Sequence, residues 1–120
     1  MYIELLYQDD YYTLNGLPLT AGPSRVLIDY SASFEHGRAT PGAQQLALAI
    51  CLELFGHQAA LQLHRDLAQL VAQCADCELL DVSTFAVRAQ FFRIPLPTIY
   101  ENNENGLFPG LGWPIGLSAA

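Results

Sequence analysis

Residues 34–56, FEHGRATPGAQQLALAICLELFG, decide the fold of this 120-residue chain. In the second half of the stretch, from 43 to 55, the polar side chains are only Gln44, Gln45 and Glu53. A helix that is apolar on nearly every face belongs inside a core, so the pattern predicts a buried central helix, which Gly56 is suited to end. The polar loop before it, residues 31–42, is then fixed against the centre of the molecule. That position makes the loop the best candidate for a functional site.

The N-terminal quarter of the chain predicts a small antiparallel sheet. The candidate strands are rich in Tyr, Ile, Leu and Val and cover residues 2–7, 11–14, 17–20 and 25–30. Asp9-Asp10 interrupts the first two, and Asn15-Gly16 is a strong hairpin signal. Residues 21–24 predict a loop before the last candidate strand.

Two further helices are predicted after the central one. Apolar residues keep to one side of segment 57–75, which predicts an amphipathic helix lying on the buried helix. Residues 76–80 predict a short extended piece, and Asp81 is placed to cap a third helix over about 82–92. The predicted fold class is therefore α+β: a small antiparallel sheet packed on a buried central helix with two further helices, in one domain over residues 1–93.

The last part of the chain, residues 94–120, has a different composition. It holds four prolines and four glycines, and its only charges are Glu101 and Glu104. Prolines and glycines disfavour regular structure, but the segment lacks the low hydrophobicity that marks disorder. We therefore predict an extended C-terminal arm that packs on its own domain or on a neighbouring subunit, with Phe108 and Trp113 as anchors.

The composition limits the classes of partner. Twelve acidic residues against five basic ones give a net charge of −7, and all five bases are arginines. Direct nucleic-acid binding is not expected, because it requires neutralised phosphates. Hydrophobic residues make up 52% of the chain and charged residues 14%, whereas soluble domains usually have ~25% charged residues. This balance favours a homodimer that buries additional surface.

The targeting signals in the chain are equally limited. No stretch approaches the ~20 apolar residues of a membrane span, and the first residues lack the basic start and apolar run of a signal peptide. Cys51, Cys74 and Cys77 are an odd number of cysteines, which fits reduced thiols. We therefore expect a cytoplasmic protein without a membrane partner.

The loop residues Glu35, His36 and Arg38 place an acid, a possible base and a guanidinium beside the buried helix. A nearby carboxylate can shift the pKa of a histidine. Because neighbours in sequence often point in different directions, a structural role for these residues stays open. The loop has no nucleophile-elbow or phosphate-loop pattern.

Cys74 and Cys77 form a lone C-x-x-C at a predicted helix C-terminus, the wrong end for a low-pKa redox thiol, and a zinc site needs four ligands. No catalytic residue, metal or cofactor is therefore assigned.

Residues 34–49 resemble a family of small bacterial, plasmid and phage domains of unknown function. The family's signature begins Phe-Glu-Trp-Gly and continues through Gly-Pro-Ala-Gln-Leu-Ala-Leu-Ala. The matching positions are Phe34, Glu35, Gly37, Gly42, Gln45, Leu46, Ala47, Leu48 and Ala49. His36 and Arg38 stand where the family has tryptophan and tyrosine. The resemblance covers about residues 7–92 and implies a mobile-element setting, but no reaction.

These observations together predict a mobile-element-type accessory protein that acts as a non-enzymatic protein-binding module. Its partner would be a second copy of the chain or a protein of the host or of the element. The binding residues in this interpretation are Glu35, His36, Arg38, Gln45, Phe108 and Trp113. The alternative is a small enzyme or small-ligand-binding domain that uses loop 31–42 and the N-terminus of the helix starting near Ala43. There Gln44, Gln45 and helix amides would bind an anion.

Overall fold

A computed structural model describes residues 1–93 of the chain and confirms an α+β fold. The elements in chain order are β1 (Tyr2–Gln8), β2 (Tyr11–Leu14), β3 (Leu17–Leu19), α1 (Gly22–Leu27), α2 (Pro41–Phe55), α3 (His57–Val71), β4 (Cys77–Asp81) and α4 (Ser83–Arg93). The four strands form one antiparallel sheet in the order β3-β2-β1-β4. The predicted arm, with Phe108 and Trp113, lies outside the described residues.

The two hairpins of the sheet both turn within two residues. Asn15 and Gly16 have φ values of 51° and 84°, and Asp9 and Asp10 have φ values of 53° and 66°. Positive φ at both central residues is the geometry of a type I′ turn, whose twist matches that of the flanking strands. Asp9-Asp10, which the sequence marks only as an interruption, therefore forms a second tight turn, between β1 and β2.

The core lies between one face of the sheet and the helices. Ile3 and Leu5 of β1 point into it together with their cross-strand partners Leu80 and Leu14. Ten of the fifteen residues of α2 are buried, so α2 is the central helix that the apolar run predicts. None of the helices within residues 1–93 combines the length and the apolar character needed to cross a membrane.

The predicted strand over residues 25–30 is wrong, because α1 covers the first half of this segment and residues 28–30 form no strand. Pro23 at the helix start fixes a helical φ, and the Arg25 guanidinium binds the Asp29 carboxylate one turn later at 2.9 Å. Val26, which favours a strand by its branched side chain, is 85% exposed and contributes nothing to the core. The domain therefore has one more helix than the sequence predicts.

The fourth strand is instead β4, which the sequence predicts only as a short extended piece. It pairs over its full length with β1, from Asp81 opposite Tyr2 to Cys77 opposite Leu6. The predicted helix over 57–75 ends earlier, at Val71. The shortened helix leaves a turn that lets the chain enter β4.

Candidate functional site

The structure places the three charged loop residues in different surroundings. Glu35 lies against the start of α2, so closely that a Cβ atom at Gly42 would be 2.7 Å from Glu35 Cγ. His36 is largely buried between the sheet and the turn after α3, whereas Arg38 is exposed. The three side chains therefore do not converge on one site.

His36 links the loop to the sheet through a chain of hydrogen bonds. Its Nε2 atom lies 2.7 Å from the Asp76 carboxylate, and its Nδ1 atom lies 2.6 Å from the Tyr12 hydroxyl. A carboxylate only accepts, so Nε2 carries the proton in the neutral ring and Nδ1 accepts the Tyr12 O–H. The rings of Tyr7 and Tyr12 pack against the imidazole, with centroids 5.2 and 5.5 Å away.

The Tyr12–His36–Asp76 chain resembles a catalytic relay in its connectivity, but its chemistry favours a structural role. Burial, aided by the nearby Tyr7, Glu35 and Asp76, raises the pKa of Tyr12 to about 12. A phenol with this pKa stays protonated near neutrality and is a poor nucleophile. The chain therefore fixes the loop on the sheet.

Gln45 fixes the other end of the loop. Its side chain is fully buried, and its Oε1 accepts the backbone N–H groups of Tyr30 and Ser31 at 2.7 and 3.1 Å. Its Nε2 donates to the Ser24 hydroxyl and to the Ile28 carbonyl at 2.8 and 3.1 Å. These four bonds use the hydrogen-bonding capacity of the amide within the fold and leave it little for a ligand.

A cavity of about 490 Å³ opens between the start of α2 and α3. We call it the α2–α3 cavity. Its lining includes four small apolar side chains, which we call the alanine floor: Ala39, Ala43, Ala68 and Ala72. Its polar lining includes Thr40, Gln44, Arg65 and Gln69. The volume lies within the range of ~300–1,000 Å³ that is typical of small-molecule sites.

Arg65 is the residue of this cavity that the sequence does not predict. The pattern of the 57–75 segment correctly places it on the solvated side of the helix, where it is exposed, but does not show that it lines a cavity. Its neighbour Asp66 binds Arg88 of α4 at 2.9 Å, so within residues 1–93 Arg65 has no ion-pair partner. The pairing of Asp66 with Arg88, 22 residues further along the chain, is not visible in any local sequence pattern.

The helix amides contribute less to the cavity than the sequence suggests. The first residue of α2, Pro41, has no N–H group. The N–H groups of Ala43 and Gln44 both donate to the Thr40 carbonyl at 3.1 Å, and the Thr40 hydroxyl accepts from Ala43 as well. The N–H groups of Ala43 and Gln44 are therefore engaged by Thr40 at the start of α2.

The cysteines do not form a redox or metal centre in the described part of the chain. All three thiols are free, and burial raises the pKa of Cys51 to about 12 and that of Cys74 to about 11. A redox-active thiol requires a lowered pKa, so the direction of these shifts is opposite. Within residues 1–93, no group of three or more His, Cys, Asp or Glu side chains is arranged to hold a metal ion.

The face of the sheet that points away from the helices is uncovered by any other described element. We call it the outer sheet face. Because side chains alternate along a strand, it is formed by Tyr2, Glu4, Leu6, Gln8, Tyr11, Thr13, Pro18, Cys77, Leu79 and Asp81. Tyr2 and Leu79 are each 67% exposed, and Tyr11 is 71% exposed. Large apolar side chains that share one exposed face are typical of an interaction surface.

Comparison of the chain with protein-family models, curated proteins and solved structures finds no match. The resemblance at residues 34–49 therefore stays a prediction.

Proposed function

We propose that this protein is a non-enzymatic binding module that engages a basic protein partner through its outer sheet face. The observation that carries the proposal is an exposed apolar surface within a part of the molecule whose charged side chains are all acidic. The mobile-element setting and the cytoplasmic location belong to the same proposal, and the resemblance and the cysteine count support them.

The apolar part of this surface supports a protein partner. Tyrosine is enriched at protein interfaces, and Tyr2 and Tyr11 are both exposed on this face. The edge strand β4 adds open backbone hydrogen-bonding groups, since within residues 1–93 only β1 pairs with it. An extended segment of a partner can pair with such an edge.

The charges of the domain are segregated, and this supports a basic partner. Residues 1–20 and 76–81, which hold the sheet and its turns, contain six acidic residues and no arginine: Glu4, Asp9, Asp10, Asp76, Glu78 and Asp81. All five arginines lie in the helical remainder of the domain. A surface of one sign attracts a partner of the opposite sign and sets its orientation.

The side chains of the predicted loop residues do not line one pocket together, and this favours the binding module over an enzyme that uses loop 31–42. The side chains of His36 and Gln45 are engaged inside the fold, and Glu35 packs against Gly42. Arg38 is exposed, but its positive charge does not suit a basic partner, so it is not part of the proposed interface.

The test uses a peptide of alternating arginine and leucine as the probe and a glutamate–leucine peptide as its control. The full chain is compared with Glu4→Gln/Leu79→Ser, which alters two cross-strand neighbours of the outer sheet face. Glu53→Gln/Val26→Ser is the matched variant, because it also removes one carboxylate and replaces one branched apolar side chain with serine, at exposed sites on the helical side. Fluorescence anisotropy at low and high salt measures the affinity.

We expect the basic peptide to bind and the acidic peptide not to bind. The outer-face pair should weaken binding about tenfold, or ~1.4 kcal/mol, and the helical-side pair should leave it unchanged. Equal weakening by both pairs would show only the attraction of a polycation to an acidic protein and would refute the proposal. Self-association that Leu79→Ser abolishes would also refute it, because the occupant would then be a second copy.

A further inference from the structure

We propose that the α2–α3 cavity binds a small organic carboxylate that carries an apolar body and a hydrogen-bond donor. This inference goes beyond the protein-binding function and uses a different surface of the molecule. It rests on three features of the cavity: an unpaired cation, a buried acceptor without a partner, and an alanine floor.

The cation is Arg65. Its guanidinium lines the cavity, and the nearest acid in sequence, Asp66, is engaged with Arg88 at 2.9 Å. Arginine pairs with carboxylate through two parallel hydrogen bonds. No acidic side chain lines the cavity, so an anionic ligand meets no like charge on its walls.

The acceptor is Gln44. This side chain lines the cavity, and its Oε1 atom is buried without a hydrogen-bond partner among the described residues. Buried carbonyl groups are almost always paired in folded proteins. A hydroxyl or amine on the ligand supplies the missing donor once the amide turns toward it.

The alanine floor explains the size and the apolar character of the ligand. Ala43 and Ala68 are buried and are contributed by α2 and α3, which pack against each other. Small side chains at this crossing leave the cavity open, and they offer no polar groups to the body of a ligand. A ring or a short branched chain fits this floor, whereas a bare oxyanion would leave it wet.

The probes are benzoate, para-hydroxybenzoate, benzyl alcohol and inorganic phosphate, added to the full chain and followed by calorimetry and backbone-amide NMR. We expect benzoate to bind and to shift the amides of Thr40, Gln44 and Arg65, and para-hydroxybenzoate to bind more tightly. Benzyl alcohol lacks the carboxylate and phosphate lacks the apolar body, so each should bind at least about tenfold more weakly.

Two substitutions assign the site. Arg65→Gln should weaken benzoate about tenfold, whereas Arg38→Gln removes an exposed guanidinium outside the cavity and should change nothing. Ala72→Leu fills the floor at the end of α3 and should abolish binding. Its thermal unfolding is measured first, and if this variant does not fold, Arg65→Gln alone decides.

The outcomes separate this inference from the proposed function. Equal affinity for benzoate and benzyl alcohol, equal affinity for benzoate and phosphate, or equal effects of Arg65→Gln and Arg38→Gln would each overturn it. The variant Glu4→Gln/Leu79→Ser should bind benzoate as the unaltered chain does, because its changes lie on the opposite side of the sheet. Failure of the peptide experiment would therefore leave the benzoate result intact.

Discussion

At Gln45 one buried carboxamide holds the segment 24–31 against α2 through one side-chain hydroxyl and three backbone groups. It bonds Tyr30 and Ser31 with its oxygen, and Ser24 and Ile28 with its nitrogen. Replacing it with leucine keeps the volume but leaves these groups without partners. We expect Gln45→Leu to lower the free energy of unfolding by about 3 kcal/mol or more.

Gln44→Leu provides the control for this prediction, since it is the same substitution one residue earlier. The Gln44 carbonyl already lacks a partner, so its removal should be neutral or should stabilise the fold by up to about 1 kcal/mol. Urea unfolding of the two variants measures the difference. Equal losses of unfolding free energy in the two variants would mean that a Gln→Leu change in α2 is destabilising in itself, and that the hydrogen bonds of Gln45 are not the cause.

Tyr12 predicts how stability depends on alkaline pH. Burial raises its pKa from the ordinary 10.0 to about 12 in the folded chain. As the pH rises, the Tyr12 phenol therefore ionises in the unfolded chain before it does so in the folded chain. Its contribution to the free energy of unfolding is complete below pH 10 and is lost as the pH rises towards 12. Cys51 and Cys74 act in the same direction from about pH 9, because burial raises both pKa values.

The measurement is urea unfolding across this alkaline range for the unaltered chain and for Tyr12→Phe. The variant should be less stable near neutrality, since it loses the bond to His36, but its stability should fall less steeply above pH 10. Parallel curves for the two proteins would contradict the assignment of the loss to Tyr12.

At the scale of single elements, the turn between β1 and β2 is built from the wrong residues for its geometry. Asp10 has a φ of 66°, a conformation in which glycine is unstrained and other residues are not. We expect Asp10→Gly to stabilise the hairpin by about 0.5–1 kcal/mol. The substitution also removes the carboxylate that accepts the Tyr7 hydroxyl at 3.1 Å and raises the pKa of Tyr7.

Two measurements therefore test the Asp10→Gly prediction. Thermal unfolding should shift upward, and titration by ultraviolet absorbance should show a lower pKa for Tyr7. Gly16 already occupies the corresponding position of the other turn, so Gly16→Asp is the reverse control and should destabilise the fold. A loss of stability in Asp10→Gly would show that the Tyr7 bond outweighs the backbone strain.

The elements that the sequence predicts correctly are those with a strong local signal. The apolar run gives α2, the amphipathic pattern gives α3, and Asn15-Gly16 gives a hairpin. The segment Arg25–Tyr30 fails because its short apolar run fits either structure, and the partners that hold α1 include Gln45, which is distant in sequence. The pairing of β4 with β1 joins the two ends of the domain, so no window of sequence contains it.

At the scale of the whole molecule, the candidate site also divides into features with a local sequence signal and features that depend on contacts between distant segments. The prediction that loop 31–42 is fixed against the centre holds, since the Gly37 N–H group donates to the Val71 carbonyl at 3.0 Å. Which side chains then share a cavity depends on the packing of α3 against the loop. Arg65 reaches the cavity for that reason, whereas Arg38 is closer to α2 in sequence but does not line it.

The association state of the full chain is the last prediction, and it concerns the segment 94–120. The chain has 14% charged residues, and α4 ends with exposed apolar side chains, since Val87 is 59% and Phe91 is 75% exposed. An apolar segment that continues from such a helix gains most by burial against a second copy. We expect a homodimer, and we expect Trp113→Ala to convert it to a monomer.

Light scattering over a range of concentrations measures the mass, with Phe108→Ala as a second variant of the segment and Val26→Ala as the control at an exposed site of α1. If the dimer is lost in both segment variants but kept in Leu79→Ser, the segment forms the subunit interface and the outer sheet face stays free for a basic partner. Undiminished dimers in both segment variants would assign self-association to another surface. A monomer in every variant and in the unaltered chain would contradict the homodimer itself, because apolar content would then be buried entirely within one subunit.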